Sequence, residues 1–504
     1  MKIGFANVVF FVLPFFSATA SLIAQEPPRS IGQYVGNMAS EKPLDDALIG
    51  VMAVSENGDT LVNYNGFRKL IPASNTKLLT TGLAMYELGP DYRFATSIGH
   101  TGKVRRGTLH GDIYVIGGGD PTIASSDSIA LPIDSLFSKW KAIIEKAGIK
   151  RIKGKIIGDG RYFDGPIVKS SWSYDDLGTD YGTGSNALAF FENVQQFEVG
   201  PGSEVGAPVV ANAVFPVSSW MTFANKAVTS GYGSGDGLAL YDSEYFPYAE
   251  LQGSYAIDEP SKTENFSNKF GSYTCAHYFC DYLERNHLNV RKGAADITPE
   301  GFVRGNLRDS VKVGKENFSL LGTTYSAELK DIVKATLYKS DNLYAETIYR
   351  LLGKILTGSA SYDSSYVAEH LVLRKLGMDV SYGAQVVDGS GLSRHNYISP
   401  DFFCRFLRAM AHTDIFEDYL QSLPQAGDGT LKNRLKNLSF EQRRRIFMKS
   451  GSMNGVLCYS GYVLPENPKD GDMIYFSIMT NNCTAGSRET ASIIDNIIGK
   501  IIEN

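Results

Sequence analysis

The chain has 504 residues, 43% of them hydrophobic and 20% charged, with a formal net charge of −5. That length exceeds what one hydrophobic core organises, so a soluble globular protein of two or three domains is expected. The acidic balance excludes a nucleic-acid partner, which needs a basic face.

The N-terminus carries Lys2, an apolar run from Val8 through Phe16, small residues Ser17-Ala18-Thr19-Ala20 and a second cleavage point at Ala24 before Gln25. This is the pattern of a secretory signal peptide over residues 1–24. The run is too short and too soon broken for a spanning helix, and no later stretch offers about 18 uninterrupted apolar residues. The mature chain therefore reads as exported and without a transmembrane anchor, with the periplasm as the expected location.

Residues 48–64 read as a hairpin turning at Asn57-Gly58. A helix is expected from Ser74, with Leu78, Leu79, Leu83 and Met85 as its apolar face and Gly89-Pro90 as its stop. The stretch between Lys77 and Ser340 is far longer than an active-site loop needs, so it contains inserted domain material rich in short strand-like runs. Within it, 166–264 is dense in Gly, Tyr, Pro and Val and reads as a small all-β unit, and 268–287 as a helix. Gly117-Gly118-Gly119 lacks the Gly-Lys-Ser/Thr of a phosphate loop and reads as a turn after a strand. Helical signals follow over 340–356 and 400–412, then strands over 445–448, 455–464 and 473–479. Ile493, Ile494, Ile497, Ile498, Ile501 and Ile502 recur at helical spacing, as a helix packed on a sheet requires. The five cysteines are odd in number and lack CxxC spacing, so they read as buried thiols. The histidines show no metal spacing, and no metal or cofactor is expected.

Three short motifs carry the chemistry. Ser74 precedes Lys77 by three residues in Pro72-Ala73-Ser74-Asn75-Thr76-Lys77, so a helix places both on one side. Ser340-Asp341-Asn342 and Lys449-Ser450-Gly451 follow in chain order. Singly, the second reads as a cap or turn and the third as a solvated strand end. Together the three form the SxxK, SDN and KTG pattern of β-lactamases and penicillin-binding proteins. A serine hydroxyl needs a base, and a lysine of pKa near 10.4 is neutral in only about one molecule in two thousand at pH 7. Burial of Lys77, with Lys449 as a neighbouring cation, would lower that pKa.

Further stretches, 111–121, Asp388-Gly389-Ser390-Gly391-Leu392-Ser393-Arg394 and Gly427-Asp428-Gly429-Thr430-Leu431, extend the pattern over nearly the whole chain after the leader. On these residues the chain resembles the class C low-molecular-mass penicillin-binding proteins, D-alanyl-D-alanine carboxypeptidases/endopeptidases of peptidase family S13. The resemblance implies an α/β (α+β) penicillin-binding-protein-like transpeptidase fold, an antiparallel sheet flanked by helices, with large inserted β-rich domains. It implies a discontinuous catalytic domain, 25–95 and 311–504, an inserted domain, 96–165 and 265–310, and a nested β-rich domain, 166–264.

The implied activity is hydrolysis of D-Ala-D-Ala termini, and of peptide cross-links, in peptidoglycan stem peptides through a Ser74 acyl-enzyme, with β-lactam antibiotics as covalent inhibitors. In that scheme Ser340 relays protons between Lys77, Lys449 and the leaving amine, and Asn342 holds Lys77 and the substrate amide; whether lysine or serine is the base stays open. Backbone N–H groups of Ser74 and Ser452 form the oxyanion hole, and Lys449, Ser450 and Ser452 take the terminal carboxylate. Gly451 is expected to let substrate approach as an added strand. Arg394, Asn454 and Asp159 are expected to line the pocket for a zwitterionic side chain. The rival readings are a β-lactamase or D-amino-acid esterase on the same machinery, and a catalytically inert wall-binding protein.

Overall fold

The structure, a computed structural model, describes residues 30–305, 307, 309–312, 318–467 and 472–503; the expected signal peptide, 1–24, lies outside the described residues. Five antiparallel strands form the central sheet in the order Thr60–Tyr64, Leu48–Ser55, Ile474–Asn481, Val456–Val463, Ile446–Met453. Side chains alternate across it, as the two-residue strand period requires. Cys458, Tyr462, Tyr475 and Met479 join the core of the helices Thr76–Leu88, Asn342–Thr357, Tyr362–Lys375 and Pro400–Ala411. Leu457, Tyr459, Phe476 and Ile478 face the opposite side, where the helices Ile31–Ala39 and Ser487–Ile502 pack. Both faces are thereby covered, which is why these strands read as nearly continuous apolar runs.

The terminal isoleucine stripe behaves as its spacing predicts. Ile494, Ile497, Ile498 and Ile501 are buried against the sheet. The helix at Pro400 has its start written locally: Ser399 accepts from the Phe402 amide, and Pro400 sits in the first turn, where its missing N–H costs nothing.

Two local readings shift. The segment before Lys77 is not regular α-helix: Ala73–Asn75 forms a 3-10 turn and the α-helix starts at Thr76. The helical reading of 340–356 holds as Asn342–Thr357, but a second helix leads into it. Leu329–Lys339 ends at Ser340, whose φ of 61° is left-handed, and Asp341 then caps Asn342–Thr357 by accepting from the Tyr344 amide at 2.8 Å.

The inserted material builds a seven-stranded mixed sheet and smaller sheets around separate apolar clusters. Phe318–Tyr325, which the sequence reading places in the 311–504 segment, pairs instead with Ala95–Thr101 at one edge of the seven-stranded sheet. The register of a strand pair separated by more than two hundred residues leaves no local signature, so the return to the central sheet begins later than sequence indicates. Among the described residues no helix is long and apolar enough to cross a membrane.

Because Ile498 is fully buried between the last helix and the sheet, Ile498→Ala should cost about 2–5 kcal/mol of stability. Urea denaturation followed by circular dichroism would measure it as a lowered midpoint with an unchanged slope.

Candidate active site

Ala73 holds a left-handed φ of 46° immediately before Ser74, an uncommon conformation for a residue with a Cβ. It is locked from two sides. Gly391 passes so close that a Cβ there would lie 1.9 Å from the Ala73 carbonyl oxygen. A Cβ on Gly451 would lie 2.5 Å from the Pro72 carbonyl oxygen and 3.0 Å from the Ser74 nitrogen. The bare face of Gly451 thus receives the Pro72–Asn75 backbone, a close approach the sequence reading did not anticipate.

One turn on, the Lys77 ammonium nitrogen reaches three oxygens: Ser74 Oγ at 2.9 Å, Asn342 Oδ1 at 2.6 Å and the Ser390 carbonyl at 2.8 Å. Lys77 is fully buried, and burial lowers its pKa to about 8 against the opposing pull of Asp341, Glu346 and Asp388. Around a neutral amine, two N–H groups satisfy Asn342 and Ser390. The remaining lone pair then faces the Ser74 hydroxyl, which donates to it. Such an arrangement would suit a general base.

The left-handed turn at Ser340 aims its hydroxyl at the second cation, with Lys449 Nζ donating to Ser340 Oγ at 3.0 Å and to the Ser450 carbonyl at 2.6 Å. Lys449 is also fully buried, and burial followed by repulsion from Lys77 pushes its pKa well below the usual lysine value. The capping role of Asp341 and the catalytic placement of Asn342 are one feature, because a cap at 341 puts 342 in the first helical turn. Asp341 is itself raised to about 7, chiefly by burial.

Ser74, Ser340, Ser450 and Ser452 line one open cleft of about 400 Å³, together with Thr430 and Arg488. Ile446–Met453 is the outer strand of its sheet; Gln425 bridges Phe447, and the edge beyond Lys449 borders the cleft. Ser450 Oγ lies 2.9 Å from Thr430 Oγ1, which fixes its direction.

The structure thus brings together Ser74, Lys77, Ser340, Asn342 and Lys449, with Ser450, Gly451 and Ser452 on the adjoining strand. Arg394 and Asn454 meet each other, Arg394 donating to the Asn454 carbonyl at 3.1 Å. Asp159 is not brought to them. It is buried at the end of Ile156–Asp159, where Arg161 grips both carboxylate oxygens at 2.8 and 2.6 Å. Asp176, whose pKa burial raises and the more distant charge of Arg394 lowers slightly, accepts from the Tyr181 hydroxyl at 3.1 Å. Sequence reasoning missed Asp176, Thr430 and Asp388; Thr430 and Asp388 stand in stretches that the sequence does mark, whereas Asp176 lies in a loop with no distinguishing pattern.

A serine nucleophile backed by a buried lysine, with a serine and a second lysine across the cleft, on a helix-flanked antiparallel sheet, defines a penicillin-binding serine hydrolase. The comparisons with known proteins agree. Residues 33–500 match the family described as D-Ala-D-Ala carboxypeptidase 3 (S13), and the chain belongs to that family. It is 28% identical over 452 residues to a D-alanyl-D-alanine carboxypeptidase from an Actinomadura strain, covering 87% of this chain and 78% of that one. It is 24% identical over 460 residues to the D-alanyl-D-alanine carboxypeptidase DacB of Haemophilus influenzae, covering 90% and 89%. The crystal structure of Haemophilus influenzae penicillin binding protein 4 superposes with a TM-score of 0.78 at 22% identity, covering 93% of this chain and 99% of that one, and shares the fold. The enzyme is accordingly a serine-type D-Ala-D-Ala carboxypeptidase.

Two outcomes follow from the geometry. With Lys77 acting as the base, acylation should fall about tenfold per pH unit below pH 8 and level off above it, as read by stopped-flow with a chromogenic cephalosporin. Gly451→Ala should slow acylation about a hundredfold by displacing the Pro72 to Asn75 backbone, a loss visible in the same assay.

Proposed function

We propose that this is an exported, periplasmic enzyme that removes the terminal D-alanine of peptidoglycan stem peptides, and also cuts D-Ala cross-links, through an acyl-enzyme on Ser74. The observation that carries the reading is the Lys77 nitrogen 2.9 Å from Ser74 Oγ, with both other acceptors occupied.

In the acylation step Ser74 Oγ attacks the carbonyl carbon of the penultimate D-alanine while its proton passes to the Lys77 amine. The carbonyl oxygen gains the negative charge and is met by the backbone N–H groups of Ser74 and Ser452. Collapse breaks the C–N bond, and the departing amine takes a proton through Ser340, supplied by the lysine pair. Water, deprotonated by Lys77, then attacks the ester and releases Ser74. Lys449 lies within the same network, and Ser450 and Ser452 present hydroxyls to the cleft, which suits the terminal carboxylate of the substrate.

Arg394, bonded to the Asn454 carbonyl two residues beyond Ser452, and Asp176, which feels its charge, are the cation and acid we assign to a zwitterionic diamino-acid side chain at the third stem position. Asn454 adds a carbonyl already bonded to Arg394. β-Lactams that imitate the D-Ala-D-Ala terminus should acylate the same serine; a solved complex of the Haemophilus influenzae protein with a β-lactam accords with this. The proposed organisation is a central catalytic unit interrupted by an inserted domain that itself carries a nested β-rich domain. Separate apolar clusters support that division.

Ser74→Ala should abolish D-alanine release from a pentapeptide and labelling by a fluorescent penicillin while leaving the thermal midpoint within a few degrees. Mass analysis of a digest of cross-linked muropeptides would test the endopeptidase arm: loss of dimers with matching gain of monomers is expected. A penicillin label that turned over within milliseconds would instead indicate a β-lactamase.

A further inference from the structure

The direction of the Lys77 lone pair depends on two acceptors, Asn342 Oδ1 and the Ser390 carbonyl, and the same stretch of the insert reaches the first directly and the second through Asp388. Asn342 donates its amide Nδ2 to the Tyr181 carbonyl at 2.9 Å. With the amide nitrogen engaged there, the amide oxygen has to face Lys77. The Ser390 carbonyl shares its peptide group with the Gly391 N–H, which donates to Asp388 Oδ1 at 2.9 Å. A carboxylate on one end of a peptide group polarises the oxygen at the other, so Asp388 strengthens the acceptor that Lys77 uses. Asp388 is fully buried and is fixed by three further donors: Asn396 Nδ2 at 2.8 Å, the Ser393 amide at 2.6 Å and the Trp172 indole Nε1 at 2.8 Å.

Trp172 is the one donor among these that comes from the insert, nine residues before Tyr181. It is itself buried, and its neighbour Ser171 meets Ser393 at 2.7 Å. We propose that segment 172–181 of the insert is part of the general-base apparatus, with Trp172 a positioning residue that acts on Lys77 through Asp388 and the Ser390–Gly391 peptide. The insert then completes the catalytic centre as well as lining the cleft. This rests on the assignment of Lys77 as the base for Ser74.

The test compares wild-type enzyme, Trp172→Phe, Asp388→Asn and the double variant for kcat and KM in D-alanine release, and for the rate of penicillin acylation. Trp172→Phe keeps an aromatic ring and removes only the donor. Its kcat and acylation rate should fall about tenfold with KM within twofold of wild type. Because both residues act along one path, the double variant should be no slower than Asp388→Asn alone. A wild-type kcat in Trp172→Phe, a loss confined to KM, or losses that multiply in the double variant would overturn the proposal. Where Trp172→Phe does not fold, Asp388→Asn decides: a kcat-only loss supports the path, and wild-type kcat refutes it. Wild-type protein inert toward both substrate and penicillin would instead overturn the acyl-enzyme reading.

Discussion

Everything in this enzyme is arranged around a lysine amine that must be buried without being left idle. Water would keep Lys77 protonated, and an empty apolar pocket would leave its N–H groups unsatisfied at a cost of a few kcal/mol. The fold resolves this with two carbonyl-type acceptors and one hydroxyl, so that a neutral amine has every atom engaged. The gain is large. A lysine of pKa about 8 is neutral in about a tenth of molecules at pH 7, some two hundred times the fraction for a free side chain. The neighbouring acidic groups keep the shift from running further, which under the proposed mechanism leaves the amine basic enough to take a proton from an alcohol.

That constraint dictates the architecture around it. The two acceptors lie on different elements, one at the start of Asn342–Thr357 and one in the loop after Gln385, and both must reach the same nitrogen to a few tenths of an ångström. Close backbone approaches make this possible: Gly391 against Ala73 and Gly451 against Pro72 and Ser74. The sheet and the helices on its helix-rich face serve to hold those approaches. The strand carrying Lys449 sits at the edge, so the same rigid framework that fixes the second cation leaves open backbone beside the nucleophile.

Much of the site was legible in the sequence because its pieces are local motifs. Ser74 and Lys77 are one turn apart, and Ser340-Asp341-Asn342 is a helix break, cap and first turn in three consecutive letters. Individual strands and helices were legible for a similar reason, since their periods are written within each segment, whereas the antiparallel sheet flanked by helices came from the family resemblance. What failed needed knowledge of what packs on what. Gly451 is visible as a glycine, but only the folded chain shows that the backbone it admits belongs to Pro72 and Ser74. Asp159 is expected from the resemblance to line the side-chain pocket, and only the folded chain shows that Arg161, two residues on, occupies it. Asp176 and Trp172 carry no pattern of their own and gain meaning from residues more than two hundred positions away.

The five cysteines have a consequence of a different kind. All are buried and none is paired, and burial raises the thiol pKa of Cys275, Cys280, Cys404 and Cys458. Since the thiolate is the reactive form, such groups resist oxidation and exchange for as long as the surrounding structure stays closed. They are spread over the insert helix Gly271–Arg285, the helix Pro400–Ala411, the central sheet and the approach to the last helix. A thiol reagent added to the native enzyme would therefore be consumed at the pace of local opening, and the order in which the sulfurs disappear would chart which layer of the molecule loosens first.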